Sequence, residues 1–191
     1  LEDLTLICRA MSINGHLPSN WNEWVCDMLL LDSLLGNSDR HQENWGIIFT
    51  ILFDEKGKPT MDDDNKIKLI GSLSPYFDNG TSLGHERFTD KINGWNINTL
   101  DKYISKGSHH LRRNRSDTRS RLGHLESVRE LAKSDRSAPL VQRRLNFDID
   151  VLCGKIRALS EIDAEESSIS ADRICWVIRL LKRRHTILKL I

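Results

Sequence analysis

The sequence GNSDRHQENWG, residues 36–46, concentrates two asparagines, two acids, an arginine and a histidine between two strongly apolar segments. A loop that only joins a helix to a strand needs a glycine and one or two polar residues. Loops carry a large share of binding and catalytic side chains, because a rigid scaffold can hold them at the surface. Whether the excess of ionisable and ligand-forming groups serves a function depends on what surrounds the loop and on what faces it.

The segment before this loop predicts an amphipathic helix. In NWNEWVCDMLLLDSLLG, residues 20–36, apolar side chains recur three and four positions apart. Asn20 is placed to cap the first turn, Glu23 to complete a capping box, and Gly36 to end the helix. Asp32, one turn before the loop, is expected to support the loop backbone.

The segment after the loop predicts an antiparallel β-hairpin. WGIIFTILF, residues 45–53, is rich in β-branched and aromatic residues, and KIKLIGSLSPYF, residues 66–77, forms a second extended run. DEKGKP, residues 54–59, is a turn signal. The acidic MDDDNK, residues 61–66, is expected to be a solvated connection or, as the lesser alternative, a weak cation site. A hairpin brings the residues before its first strand close to those after its second strand.

This geometry predicts an oxygen-rich site beside the loop. It places Asp39 and Asn44 near Asp78, which follows the second extended run in the sequence FDNG. Carboxylate and amide oxygens are ligands of the kind that magnesium prefers, with water and phosphate completing its shell. An acid that remains free of the metal can accept or orient the proton of an attacking hydroxyl in phosphoryl transfer. Turn formation is the competing explanation for each residue taken alone, since Asp and Asn commonly stabilise turns.

The rest of the chain predicts a mainly α-helical fold. Apolar residues recur at helical spacing in LESVRELA, DVLCGKIRALSEI and ADRICWVIRLLKRRHTILKLI. In the last of these, the predicted core stripe comprises Ile174, Val177, Ile178, Leu181 and Leu188, and the predicted solvent face comprises Lys182, Arg183 and Arg184. The acidic SEIDAEESSIS, residues 160–170, is expected to be a loop or a helix start.

Length and composition favour one domain, residues 1–191, in a cytoplasmic protein. A chain of 191 residues can bury a sizeable core without disulfide or metal staples. The formal charge of +1 argues against a globally basic nucleic-acid binder, and the four cysteines form no CxxC pair, so neither a zinc site nor a redox motif is indicated. No apolar run reaches membrane-spanning length and the first residues lack a signal pattern, so no membrane association is expected.

The two predicted site segments resemble those of protein kinases. Asp39 and Asn44 have the D-x-x-x-x-N spacing of the kinase catalytic loop, and DNG at residues 78–80 resembles the DFG element. The closer resemblance is to the HipA-like kinases, whose catalytic segment reads G-N-[TS]-D-x-H-x-x-N and whose second metal aspartate follows L-[AS]-P-x-[YF]-D. GNSDRHQEN and LSPYFDNGTSL match both patterns.

The resemblance implies the helical C-terminal lobe of an ATP- and Mg²⁺-dependent serine/threonine protein kinase, with a small antiparallel hairpin next to the catalytic loop. Such kinases are often the toxin half of a toxin–antitoxin pair, so a protein substrate and an antitoxin are the implied partners. Carried over to this chain, Asp39 is the catalytic base, whereas Asn44 and Asp78 hold magnesium and with it the nucleotide. His41 matches the motif without an assigned chemical step and is expected to be structural.

The chain also departs from the pattern of a whole kinase. No glycine-rich phosphate loop and no V-A-I-K-like lysine strand precede the catalytic loop, so the nucleotide-binding N-terminal lobe is expected to be absent from this chain. The alternative function is a non-catalytic pseudokinase, or a binding module that needs a separate N-terminal lobe or partner. A weaker alternative is a metal-dependent phosphohydrolase that uses aspartates together with His41, His85, His109 and His110.

A basic stretch, KGSHHLRRNRSDTRSR at residues 106–121, holds six basic side chains and two histidines against one aspartate. Such a cluster can bind phosphate groups of a nucleic acid, a phosphoprotein or a tRNA-bound substrate complex. It lacks the interleaved aromatic residues that stack on single strands, so a solvated loop is favoured and nucleic acid is expected as an indirect partner at most. His109 and His110 are adjacent, so their side chains are expected to point apart.

Overall fold

The computed structural model describes residues 1–85, 87–117, 120–162 and 168–191. These ranges contain eight α-helices and one two-stranded antiparallel sheet. The elements are α1 (Glu2–Ile13), α2 (Trp21–Leu35), β1 (Ile47–Ile51), β2 (Leu69–Leu73), α3 (Thr89–Ile92), α4 (Ile97–Ser105), α5 (His124–Lys133), α6 (Ala138–Leu145), α7 (Ile149–Ala158) and α8 (Ala171–Lys189). The prediction of a mainly helical fold with a small hairpin is confirmed. Part of the predicted acidic loop, residues 163–167, lies outside the described ranges.

Helix α2 is the central element, because it contacts α1, α5, α6 and α8. One side of it packs Val25, Met28 and Leu29 into a core cluster with α1, and another side packs Cys26 and Leu30 against α5, α6 and α8. A helix that is apolar on more than one side is typically buried between neighbours. This burial fixes the position of the C-terminal end of α2, where the polar loop begins.

The two ends of α2 differ in how well the sequence predicted them. Gly36 ends the helix in the left-handed conformation with φ of +75°, as expected for a glycine C-cap. Asn20 occupies the N-cap position, but its side chain makes no capping hydrogen bond, so the predicted capping box is wrong. The Asn20 backbone has φ of −91° and ψ of 16° rather than the extended conformation from which a cap side chain reaches the first turn.

The predicted antiparallel hairpin is confirmed. Strand β1 pairs with β2 in a register that places Ile47 opposite Leu73 and Ile51 opposite Leu69. At the base of the hairpin, Gly46 and Ser74 exchange two hydrogen bonds, from Gly46 N to Ser74 Oγ at 3.0 Å and from Ser74 N to Gly46 O at 2.9 Å. The chain segments that flank the hairpin are thus held side by side, as the sequence predicted.

Helix α8 packs along the other elements and confirms most of the predicted core stripe. The buried members are Ile174, Ile178, Leu181 and Leu188. The predicted solvent face is wrong at one position, because the Arg184 side chain is 2% exposed. Its guanidinium donates from Nη1 to the carbonyl of Ser33 at 2.9 Å, near the C-terminal end of α2. The last carbonyls of a helix lack partners within the helix and attract cations, which explains why this arginine is buried.

Candidate active site

The polar loop runs from the C-terminal end of α2 to the start of β1 and is held by its own side chains. His41 accepts a hydrogen bond at Nδ1 from Glu43 N at 3.2 Å, which caps a single 3₁₀ turn at Gln42–Asn44. Asn44 is 3% exposed, and its Nδ2 donates to the carbonyl of Asp39 at 2.6 Å. The loop therefore folds back on itself and brings Asp39 and Asn44 together.

Arg40 is the residue that joins this loop to the rest of the site. Its side chain is fully buried. Nε and Nη2 donate to the two carboxylate oxygens of Asp32 at 3.1 and 2.9 Å, a bidentate pair with α2. Nη1 donates to the carbonyls of Asn44 at 3.1 Å and Phe77 at 2.6 Å, and Nη2 donates to Asn79 Oδ1 at 2.7 Å. One guanidinium thus connects α2, the polar loop and the segment that follows the hairpin.

Asp32 is the buried counter-ion of Arg40, and its carboxylate is fully buried. Burial alone would raise its pKa, whereas the neighbouring His109 ring and the Arg40 guanidinium lower it, and the net result is a pKa below the ordinary value. His109 Nδ1 lies 3.8 Å from Asp32 Oδ2, which is beyond hydrogen-bond length. We therefore attribute the lowered pKa of Asp32 mainly to its two direct hydrogen bonds from Arg40. Asp32 supports the loop backbone, as predicted, because its carbonyl accepts from Gly36 N at 2.7 Å and from Asn37 N at 2.9 Å. Its carboxylate adds the bonds to the Arg40 and Asn37 side chains.

Asn37 forms a second connection between the loop and its surroundings. Its Oδ1 accepts from Asp39 N at 3.1 Å and from Thr81 Oγ1 at 2.7 Å, and its Nδ2 donates to Asp32 Oδ1 at 3.2 Å. Its carbonyl accepts from Nε2 of the buried His124 at 2.9 Å. Burial, above all, lowers the pKa of His124 to about 3, so this ring is neutral near pH 7 and serves as a hydrogen-bond donor.

Asp78 follows Phe77, whose carbonyl is bound by Arg40, and it lies at the surface. Its φ is +54°, in the left-handed region that few residues other than glycine adopt. Such strained backbone is retained where the surroundings hold it, and it clusters at functional sites. Because Arg40 Nη1 binds the carbonyls of Asn44 and Phe77, the structure brings Asp78 to the loop that carries Asp39 and Asn44.

The predicted site offers few protein ligands for a magnesium ion. Within the described residues, no group of three or more His, Cys, Asp and Glu side chains could hold a metal ion. The predicted ligands are one amide oxygen and one carboxylate, and no hydrogen bond among the described residues engages Asn44 Oδ1 or the Asp78 carboxylate. Magnesium commonly takes one or two protein ligands and keeps water and phosphate as the others. Asn44 and Asp78 fit this coordination pattern.

The described basic residues of the stretch are exposed, in agreement with the favoured interpretation as a solvated loop. His109 and His110 point apart, as expected: the His109 ring is buried on Ser127, whereas His110 Nδ1 lies 3.2 Å from Asp39 Oδ1. Arg113 pairs with Glu126 and Glu130, and Arg115 pairs with Asp3. Two of its arginines thus have acidic partners within the chain, which weakens the case for a phosphate-binding patch. Residues 118 and 119 of this stretch lie outside the described ranges.

Sequence reasoning missed several residues of this site, namely Asn37, Arg40, His110 and His124. Arg40 carried one available signal, because a buried aspartate near the end of an apolar helix requires a cationic partner. His110 carried none, since 71 positions separate it from Asp39 and no spacing rule relates the two.

No protein-family model matches this chain, and no curated protein matches it. Among solved structures it is similar to the proinflammatory kinase CtkA of Helicobacter pylori, with a TM-score of 0.60 and 18% sequence identity. The match covers 88% of this chain and 52% of CtkA, so the chain spans about half the length of that kinase. The chain has a kinase-like fold. None of the helices in the described ranges combines the length and the apolar character that a membrane crossing requires.

Proposed function

We propose that this chain is the C-terminal catalytic lobe of a HipA-like serine/threonine protein kinase that transfers the γ-phosphoryl group of ATP to a protein hydroxyl. The observation that carries this proposal is the buried Arg40 guanidinium, which ties the loop bearing Asp39 and Asn44 to the segment bearing Asp78. Phosphoryl transfer depends mainly on positioning and on charge stabilisation. A rigid connection between the two motif segments is what such a mechanism requires.

The proposed roles of the three motif residues follow from their exposure and from their hydrogen bonds. The Asp39 side chain is 41% exposed while its backbone is held, so its carboxylate can accept or orient the proton of an acceptor hydroxyl. Asn44 and Asp78 would hold Mg²⁺ and through it the nucleotide. When bound, magnesium and ATP supply the transferable phosphoryl group and offset its charge. The kinase-like fold supports this assignment, and the two sequence motifs refine it.

The proposal also covers the binding partners of the protein and its location in the cell. A protein substrate and an antitoxin partner belong to it through the HipA-like resemblance alone, and a cytoplasmic location of the protein belongs to it through the sequence composition. The second candidate is a non-catalytic module that needs an N-terminal lobe or a partner. It is favoured by the sparse set of predicted metal ligands, which comprises one amide oxygen from Asn44 and one carboxylate from Asp78. The two candidates differ in whether Asp39 is needed for transfer and Asp78 for nucleotide binding.

The test measures nucleotide binding and phosphoryl transfer on the full-length protein that contains this chain. Titration calorimetry with Mg²⁺-ATP is expected to detect binding in the wild type, to lose it in Asp78→Asn, and to retain it in Asp39→Asn. Transfer of labelled phosphate is expected to vanish in both variants. Asp90→Asn, an equal charge change at an exposed position in α3, is the matched control. Folded wild-type protein with neither binding nor transfer would favour the non-catalytic module.

A further inference from the structure

We propose that His110 is a positioning residue that orients the Asp39 carboxylate for proton acceptance. The inference rests on the proposed kinase function and adds to it a residue from outside both kinase motifs. His110 Nδ1 lies 3.2 Å from Asp39 Oδ1, and both side chains are about two-fifths exposed. His110 belongs to the segment that follows α4, and Asp39 belongs to the loop that follows α2.

The bonding of Asp39 shows why an external partner matters. Its backbone is fixed on both sides, because Asp39 N donates to Asn37 Oδ1 and Asp39 O accepts from Asn44 Nδ2 and from His41 N. Its carboxylate has no such support within the loop. Among the described residues, His110 is the one side chain that forms a hydrogen bond with it. The final torsion of an aspartate is broad and two-fold, so the carboxylate orientation depends on that contact.

The backbone around His110 is itself anchored. His109 N donates to Leu122 O at 2.8 Å, and Leu122 N donates to Leu111 O at 2.9 Å. The neighbouring His109 ring is buried against Ser127 Oγ at 3.0 Å. The backbone bends at His110, just after the bridge between Ser108 and Gly123. With the His109 ring buried against Ser127, the His110 ring lies on the other side of the chain, beside Asp39. A contact held on both sides can fix an orientation, whereas a mobile surface histidine could not.

The chemistry of the contact follows from the two oxygens of a carboxylate. With a proton on Nδ1, His110 donates to Asp39 Oδ1, and the second carboxylate oxygen is then left for the acceptor hydroxyl. An ionised carboxylate accepts at both oxygens, so one hydrogen bond orients it and the other oxygen stays available. Positioning of this kind affects the rate of the chemical step and leaves nucleotide binding unchanged.

The test compares three substitutions of His110 in the full-length protein. In His110→Ala, kcat for phosphoryl transfer is expected to fall roughly tenfold to a hundredfold with KM for ATP unchanged. His110→Asn is expected to recover most of the rate, because its Nδ2 donor occupies nearly the position of the histidine Nδ1. His110→Gln places its donor farther out and is expected to recover less. His16→Ala, at an exposed histidine elsewhere, is the control and keeps the wild-type rate.

The failures of the inference and of the kinase function are distinguishable. If Asp39→Asn abolishes transfer while His110→Ala keeps the wild-type kcat, the positioning role is overturned and the kinase function stands. A rise of kcat in His110→Ala also overturns it, since the contact would then restrain Asp39. If Asp39→Asn transfers phosphate normally, both proposals fail. NMR of isotope-labelled histidine gives a readout besides activity: Asp39→Ala is expected to shift the His110 proton away from Nδ1, and an unchanged tautomer contradicts the proposal.

Discussion

Two polar loops of this protein use the same residue types in opposite ways. At the tip of the hairpin, Asp54 Oδ1 accepts from the backbone N–H groups of Lys56 and Lys58 at 2.9 and 2.8 Å. Asp62 Oδ1 repeats the arrangement with the N–H groups of Asp64 and Lys66 at 3.0 and 2.8 Å. Each of these carboxylates stabilises its own turn. The hairpin tip is a loop whose acids serve its local structure.

In the loop at residues 36–46 the turn chemistry is carried by other residues. Asn37 Oδ1 accepts from the backbone N–H of Asp39, and His41 Nδ1 accepts from that of Glu43. No described hydrogen bond joins the Asp39 carboxylate to a backbone N–H of its own loop. Because the Asp39 carboxylate does not stabilise its own turn, it remains available to interact with a substrate. Whether a carboxylate binds the backbone N–H groups of its own loop distinguishes a candidate catalytic aspartate from a structural one better than the amino-acid composition of the loop does.

The largest expected effect is on the buried connection between Arg40 and Asp32. Arg40→Met leaves the fully buried Asp32 carboxylate without its cation, and removing one partner of a buried pair typically costs about 3–5 kcal/mol of unfolding free energy. Chemical denaturation followed by circular dichroism measures the loss. Arg40→Lys is expected to recover part of it, because it keeps the charge and lacks the planar fork.

Arg144 provides the matched control for Arg40. It also forms a bidentate pair, with Asp27, but the two side chains are 45% and 24% exposed. Exposed pairs of this kind contribute up to about 1 kcal/mol, so Arg144→Met is expected to be mild. Equal losses for Arg40→Met and Arg144→Met would show that the Arg40 network does not hold the loop at residues 36–46 to the segment that carries Asp78.

A smaller effect is expected from His124, which donates to the carbonyl of Asn37. Its pKa is lowered from 6.5 to about 3 in the folded protein. Between these values the unfolded chain binds a proton that the folded chain excludes, so the contribution of His124 to stability is complete above pH 6.5 and is lost as pH falls toward 3. His124→Gln is expected to flatten the dependence of unfolding free energy on pH over this range.

The control for His124 is His16→Gln, which replaces an exposed histidine and is expected to keep the wild-type pH profile. An unchanged profile in His124→Gln would contradict the buried neutral ring. A lower stability at every pH with the same slope would mean that His124 acts through packing alone.

Much of the fold was predictable because its signals are local. The apolar pattern of residues 20–36 predicted α2, Gly36 predicted its end, and β-branched runs predicted the hairpin. The proximity of Asp78 to the loop followed from hairpin geometry. The placement of the three motif residues in catalytic roles stays a prediction, because no ligand contact or activity tests it.

The sequence could not predict contacts whose partners are distant along the chain. Arg184 lies in a basic run that is typical of a solvated helix face, and only the packing of α8 against the end of α2 explains its burial. His110 lies in a basic stretch for which the sequence favours a solvated loop, and its contact with Asp39 depends on how Leu122 fixes the backbone. Long-range packing decides both contacts, and local propensity carries no information about it.

The most direct test of the contrast between the two loops compares Asp39→Ala with Asp62→Ala in the full-length protein, with transfer and unfolding measured for each variant. Asp39→Ala is expected to reduce phosphoryl transfer roughly a hundredfold to ten-thousandfold and to leave stability nearly unchanged. Asp62→Ala is expected to cost about 1 kcal/mol of unfolding free energy, because two backbone N–H groups lose their acceptor, and to leave transfer intact. Equal loss of stability in both variants, with transfer unaffected by either, would contradict the account and make Asp39 another turn residue.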